Sequence, residues 1–162
     1  MVLISRRRLF GLLTLMWAAQ IYRFSTAGYS SHTSWSFLEQ LLRTLHVAAS
    51  SFTISVLNAI VRKLAHFIEY GVLALLLYRS LSREQPPRWR PNLAFWSIGI
   101  AGLYAIGDEF HQLFVPGRRA ASLDWGIDLV GAAFAMLVLH RCSRSVPPTA
   151  VPTPPLIETT TT

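Results

Sequence analysis

Four long apolar runs separated by short polar stretches set the rhythm of this chain. The first follows Arg6-Arg7-Arg8 and covers about 9–24; the others cover about 64–78 (62–79 with its flanks), 93–115 and 123–140. A helix needs roughly 20 residues to cross a bilayer. The third and fourth runs reach that length, and the first two reach it with their flanks. A basic segment before an apolar run is also how a signal peptide begins. No A-x-A site closes this one, and Gln20, Tyr22 and Arg23 follow directly, so the pattern predicts an uncleaved span.

Between the first two runs the pattern changes. From Trp35 onward, Leu38, Leu41, Leu42, Leu45, Phe52, Val56 and Ile60 fall near helical spacing, with Ser, Thr and Asn between them. This predicts one or two amphipathic helices on the outer leaflet. Pro86-Pro87 and Pro91 mark a short loop between runs two and three. Residues 145–162 hold five of the nine prolines and end in four threonines, which predicts a disordered cytoplasmic tail after a membrane domain over 1–144.

Composition strengthens the membrane reading. The chain has 162 residues, 52% of them apolar and only 14% charged, against about 25% charged in ordinary globular domains. Five Trp, five Tyr and nine Phe suit the aromatic belts of a membrane interface. The net charge of +7 is spread between apolar runs and forms no dense patch, so no nucleic-acid partner is expected. With the N-terminus inside, nine basic residues (Arg6, Arg7, Arg8, Arg79, Arg83, Arg88, Arg90, Arg141, Arg144) lie in the cytoplasm and six outside. The positive-inside rule then gives four spans with both termini inside. The expected fold class is all-α: a polytopic protein of the bacterial cytoplasmic (inner) membrane with four transmembrane helices and outer-leaflet amphipathic helices. Cys142 is alone, so neither a disulfide framework nor a CxxC motif is present.

The chemistry lies at the ends of the spans. In RKLAHFIEYGVLALLLY, Arg62, His66, Glu69 and Leu73 follow one helical face, with Lys63 beside His66. YAIGDEFHQLF puts Asp108, His111 and Gln112 on one face, with Glu109 about a quarter-turn away. SLDWGIDLVGAAFA places Asp124 and Asp128 one turn apart, followed by Gly131 and Ala135. With four spans, these three ends all face outward, and they carry five of the eight carboxylates. Singly, each has a plainer reading. Lys63 can snorkel, Asp124 can cap a helix, Arg118 and Arg119 can be solvated loop charges, and Gly131 with Ala135 can be a helix contact. Together, ionisable groups at such depth mark a functional site by default.

RKLAHFIEYGVLALLLYRSL, followed by DEFHQLFVPGRRAASLDWGIDLVGAAFA, resembles the VanZ family of bacterial membrane proteins, named for a determinant of resistance to the lipid-tailed glycopeptide teicoplanin. The family pattern joins a (K)xxHFxEYxxLA block to DExxQxFxPGRxxSxxD and a small-residue helix within a four-span unit. The resemblance covers about residues 62–136, and FSTAGYSSHTS adds a weaker serine-containing match. It implies an envelope protein that lowers glycopeptide binding, with its core pattern on Lys63, His66, Glu69, Asp108, Glu109, Gln112, Arg118 and Asp124. The chain departs from the pattern in two respects: Asp128, where the family often has Asn, and Ala133 with Ala135, near where a second glycine is common.

This inventory suits work on a lipid head group or a lipid-linked cell-wall precursor. His66 or His111 is a general-base candidate, because imidazole titrates near working pH. Glu69, Asp108, Glu109 and Asp124 are candidates to act as acid or to orient the ring. Lys63, Gln112, Arg118 and Asp128 are candidate binding residues for the head group. His66-x-x-Glu69 and Asp108-x-x-His111 sit at metal-site spacing, but one order is reversed and the other has Asp for Glu. Neither metal nor cofactor is therefore expected. The same cluster would serve a non-catalytic binder of envelope lipid or antibiotic. A proton-coupled transporter is disfavoured, because the polar groups cluster at one face and the four spans themselves hold no carboxylate near their cytoplasmic ends.

Overall fold

Short polar residues start the helices. Ser5 accepts a hydrogen bond from the Arg8 backbone N–H and opens α1 (Arg6–Ser25). Ser50 does the same for the Thr53 N–H at 3.1 Å and opens α3 (Ser51–Leu81). Pro91 begins α4 (Pro91–Gln112) at the first helical position, where a missing N–H is harmless. The Arg90 N–H just before it is taken by the Tyr78 hydroxyl at 2.9 Å. The remaining helices are α2 (Ser31–Thr44) and α5 (Ser122–Arg144). The computed structural model describes residues 5–26, 31–82, 89–114 and 122–144, without the side chains of 31–33 and 122–124.

The described residues form five helices and no strand, as the all-α expectation requires. The predicted tail over 145–162 and the loop prolines Pro86 and Pro87 lie outside the described residues. Span two, expected at 62–79, is the inner part of a longer helix. α3 has 31 residues, about 46 Å at 1.5 Å per residue, against a hydrocarbon core of about 30 Å. Its first 11 residues are the second of the amphipathic segments predicted between runs one and two. The first is α2, which closes at a left-handed His46 (φ 56°), with Val47 N–H bonded to Leu42 O and His46 N–H to Arg43 O.

α3 is the hub. It contacts each of the other four helices, α2 contacts only α3, and α1 and α5 do not touch among the described residues. The cross-contacts fix direction. Arg7 meets the Ser80 carbonyl and Trp17 that of Glu69, so α1 runs antiparallel to α3. Tyr104 reaches Ala18 and His111 stacks on Tyr22, so α1 and α4 run parallel. His66 meets Asp128, and Gly71 faces Gly131 and Ala135, so α3 and α5 run parallel. The last turns of α1 and α4 therefore lie at the same end as His66 and the first turns of α5.

Side-chain sizes are distributed the opposite way from a water-soluble core. The fully buried apolar interior combines Tyr70, Tyr78 and Ile21 with four alanines (Ala74, Ala101, Ala105, Ala132). Leu12, Met16, Phe52, Phe95, Trp96, Leu103, Val130 and Phe134 point outward. Small residues let helix backbones approach closely, which is how helices pack when the surrounding medium is itself apolar. Among the described residues one helix, over Trp125–Arg144, is long and apolar enough to cross a membrane by length and composition. α3 and α4 carry their ionisable residues within the helix, and those residues lower their hydropathy.

Two side-chain hydrogen bonds hold α1 against this frame. The Trp17 indole donates to the Glu69 carbonyl at 2.9 Å, and the Tyr104 hydroxyl donates to the Ala18 carbonyl at 2.6 Å. Trp17→Phe and Tyr104→Phe are each expected to lower stability by about 1 kcal/mol, because each removes one hydrogen bond between helices. Thermal unfolding of the purified protein in micelles checks this. An unchanged midpoint in both variants would mean that α1 is not tethered by them.

Candidate functional site

His66 and Asp128 form the centre of the polar end. Nδ1 of His66 lies 3.1 Å from Oδ1 of Asp128, whose side chain is 1% exposed. They come from the parallel helices α3 and α5, and the glycine contact one turn further along lets those helices approach. A Cβ on Gly131 would run into the backbone carbonyl of Phe67, the residue after His66. Beside this pair Asp108 is buried, and its Oδ2 accepts from Gln112 Nε2 at 2.8 Å, one turn along α4. Tyr70, fully buried one turn below His66, lies ring-parallel to it at 6.5 Å.

His66 and Asp108 border a cavity of about 320 Å³. Its wall takes Ser25 from α1, Ser34 from α2, Arg62, His66 and Glu69 from α3, and Asp108 from α4, with Ile21, Phe24, Val61 and Ala65 as apolar lining. Among the described residues, one cation, one imidazole, two carboxylates and two hydroxyls thus share one volume.

The family model that describes VanZ/LLP1 matches residues 10–143, well over half of the chain. The chain belongs to the VanZ/LLP1 family. The match spans both motif blocks and every residue of the cavity. No curated protein and no solved structure matches the chain. Members of the VanZ family are generally membrane-associated, and α5 supplies one helix able to cross a bilayer.

The structure divides the VanZ/LLP1 motif residues into groups that differ in position. His66, Glu69 and Asp108 line the cavity. Gln112 and Asp128 stand behind it, 2% and 1% exposed, and hold Asp108 and His66 respectively. Asp128, expected among the binding residues, meets the imidazole of His66 and is not part of the cavity wall. His111 lies elsewhere: its ring sits 4.7 Å from that of Tyr22, in the wall of a second cavity between α1 and α4. Glu109 and Lys63 line neither cavity. Asp124 falls in the first turn of α5 with its side chain outside the described residues, and Arg118 also lies outside them.

Arg62 takes the place expected of Lys63 at the cavity wall. The signal was present in the chain: Arg62, His66 and Glu69 fall at i, i+4 and i+7, one face, whereas Lys63 is rotated 100° further. Ser25 and Ser34 were visible only as part of the serine-containing stretch FSTAGYSSHTS. Among the described residues no three His, Cys, Asp or Glu side chains converge as metal ligands, and the two histidines border different cavities.

Proposed function

We propose that this VanZ/LLP1 protein is a multi-pass protein of the bacterial cytoplasmic membrane whose outward-facing cavity hydrolyses or transfers the polar head group of an envelope lipid. The observation that carries the chemistry is the His66–Asp128 pair on the wall of a cavity that also holds Arg62, Glu69 and Asp108. A carboxylate on Nδ1 holds the proton there and makes Nε2 the basic nitrogen, the arrangement a general base needs. His66 would take the proton from an attacking hydroxyl or water. Arg62 would hold a phosphate oxygen, for which a guanidinium fork is well shaped. Glu69 or Asp108 would return a proton to the departing oxygen. The resemblance to teicoplanin-resistance determinants fits such a step, since altered head groups change what binds at the cell surface.

The multi-pass reading is supported by the large apolar side chains exposed on α1, α3, α4 and α5 alike. The orientation is supported by the opposite end of the bundle. There Arg7 lies at Ser80 and Arg79 packs 5.9 Å over the Phe10 ring, near the start of α4 at Arg90 and the end of α5 at Arg141. A basic end belongs in the cytoplasm and leaves the carboxylate end outside.

Comparative lipidomics tests the activity. Cells making the unaltered protein are expected to contain a head-group-modified lipid that is absent from cells making Asp108→Asn at equal abundance. Identical lipid profiles, with any antibiotic phenotype retained by Asp108→Asn, would leave a binding protein in place of an enzyme.

A further inference from the structure

Asp108 borders two cavities. The second, of about 410 Å³, runs between α1 and α4, and its wall is Tyr22, Ile100, Leu103, Tyr104, Gly107 and His111. Ile100, Leu103 with Tyr104, Gly107 and His111 recur at helical spacing, so they form one stripe along α4. At 1.5 Å per residue the stripe is about 16 Å long, close to half of the roughly 30 Å hydrocarbon core. The groove is apolar along its length and polar only at the Asp108 end. There the buried Nε2 of His111 has no hydrogen-bond partner among the described residues. One turn before His111, Gly107 leaves the floor open, since a Cβ there would meet nothing within 4 Å. Leu103 is 70% exposed, so the groove opens sideways to whatever surrounds the bundle.

We propose that this groove binds one acyl chain of a glycerophospholipid whose head group occupies the neighbouring cavity. The proposal deepens the head-group reading above by naming the lipid class, and it rests on that reading for the polar end. A polar cavity and an apolar groove that meet at one carboxylate match a ligand with both parts joined at a short neck. His111 stands at the polar end of the groove, where the glycerol neck would lie. A groove one leaflet deep fits an acyl chain; a polyprenyl chain would extend beyond it.

The test uses the full chain in phosphatidylcholine vesicles with a trace of phosphatidylglycerol carrying a diazirine midway along one acyl chain. Irradiation is expected to place adducts on the Ile100–His111 stripe and Tyr22 in preference to the exposed α5 residues Val130, Phe134 and Leu137. Gly107→Phe fills the groove and is expected to lower adduct yield about tenfold. Gly99→Phe, also in open space on α4, is expected to leave it unchanged. Adducts scattered evenly over α4 and α5 in the unaltered chain, or full labelling of Gly107→Phe, would overturn the proposal. Labelling of the unaltered chain needs no variant to fold. Adducts confined to the groove, with cellular lipids indifferent to Asp108→Asn, would uphold the groove and remove the head-group chemistry. Scattered adducts, with lipids that do respond to Asp108→Asn, would remove the groove alone.

Discussion

Gly131→Ala is expected to destabilise this protein by about 3 kcal/mol, the upper part of the usual range for overpacking. The added methyl meets the carbonyl oxygen, carbonyl carbon and Cα of Phe67, all backbone atoms with no alternative rotamer. α3 and α5 must then move apart, along with the small-residue seam of Gly71, Ala132 and Ala135. Other glycines set the scale. At Gly71 a Cβ would lie 3.3 Å from the Gly131 carbonyl oxygen and 3.6 Å from the Ala135 Cβ, tight but tolerable. Gly71→Ala is expected to cost about 1 kcal/mol or less. At Gly99 and Gly126 the Cβ would meet nothing within 4 Å, so alanine there is expected to gain about 0.5–1 kcal/mol from helix propensity alone. Thermal midpoints in micelles would rank the four variants. The ranking has a functional consequence, because the seam adjoins the site. His66 precedes Phe67, and Asp128 lies one turn before Gly131, so separating the helices lengthens the 3.1 Å pair. A Gly131→Ala protein as stable as the original would show that α3 and α5 do not approach this closely.

That seam also marks where reading the chain stops. Apolar runs place α1, α4 and α5 to within a few residues, because a run long enough for a bilayer has little choice but helix once its backbone must satisfy its own hydrogen bonds. The outer half of α3 is harder to assign. Hydropathy falls off before Arg62, yet residues 51–61 continue the same helix from the Ser50 cap, since helix propagation does not need uniform apolarity. The motif residues of α3, α4 and α5 were legible as a group through the direction of each span. Their partners were not. Which rotation of α5 brings Asp128 to His66 depends on the Gly131–Phe67 approach, a contact between helices that leaves no periodic trace in either. For the same reason His66 and His111 look equivalent in the chain and separate in the fold, where Tyr22 from α1 claims one of them. Of the four expected spans, hydropathy alone singles out α5, because the residues that build the site are the ones that make α3 and α4 less apolar.

Substitutions at His66 and Asp128 are expected to have the largest effects on activity. His66→Gln removes the only imidazole that the described residues place on the cavity wall and is expected to lower turnover about 10³-fold, within the span usual for losing a general base. Asp128 acts through that ring, so its effect depends on what replaces the carboxylate. Asparagine, which the family pattern often carries there, keeps an oxygen able to accept from Nδ1–H and loses only the charge. The difference between a charged and a neutral acceptor is on the order of 1.4 kcal/mol, or about tenfold in rate. Asp128→Leu keeps the approximate volume but removes the acceptor, and the imidazole is then free to carry its proton on Nε2. Activity is expected to fall about 10²-fold or more. Because Asp128 would act only through the His66 ring, His66→Gln combined with Asp128→Leu is expected to be no slower than His66→Gln alone. Turnover of the lipid identified by lipidomics, measured for all four proteins, reads this coupling. Additive losses would mean that Asp128 supports the site through the fold and not through His66, and a double variant matching His66→Gln would place the pair in the reaction.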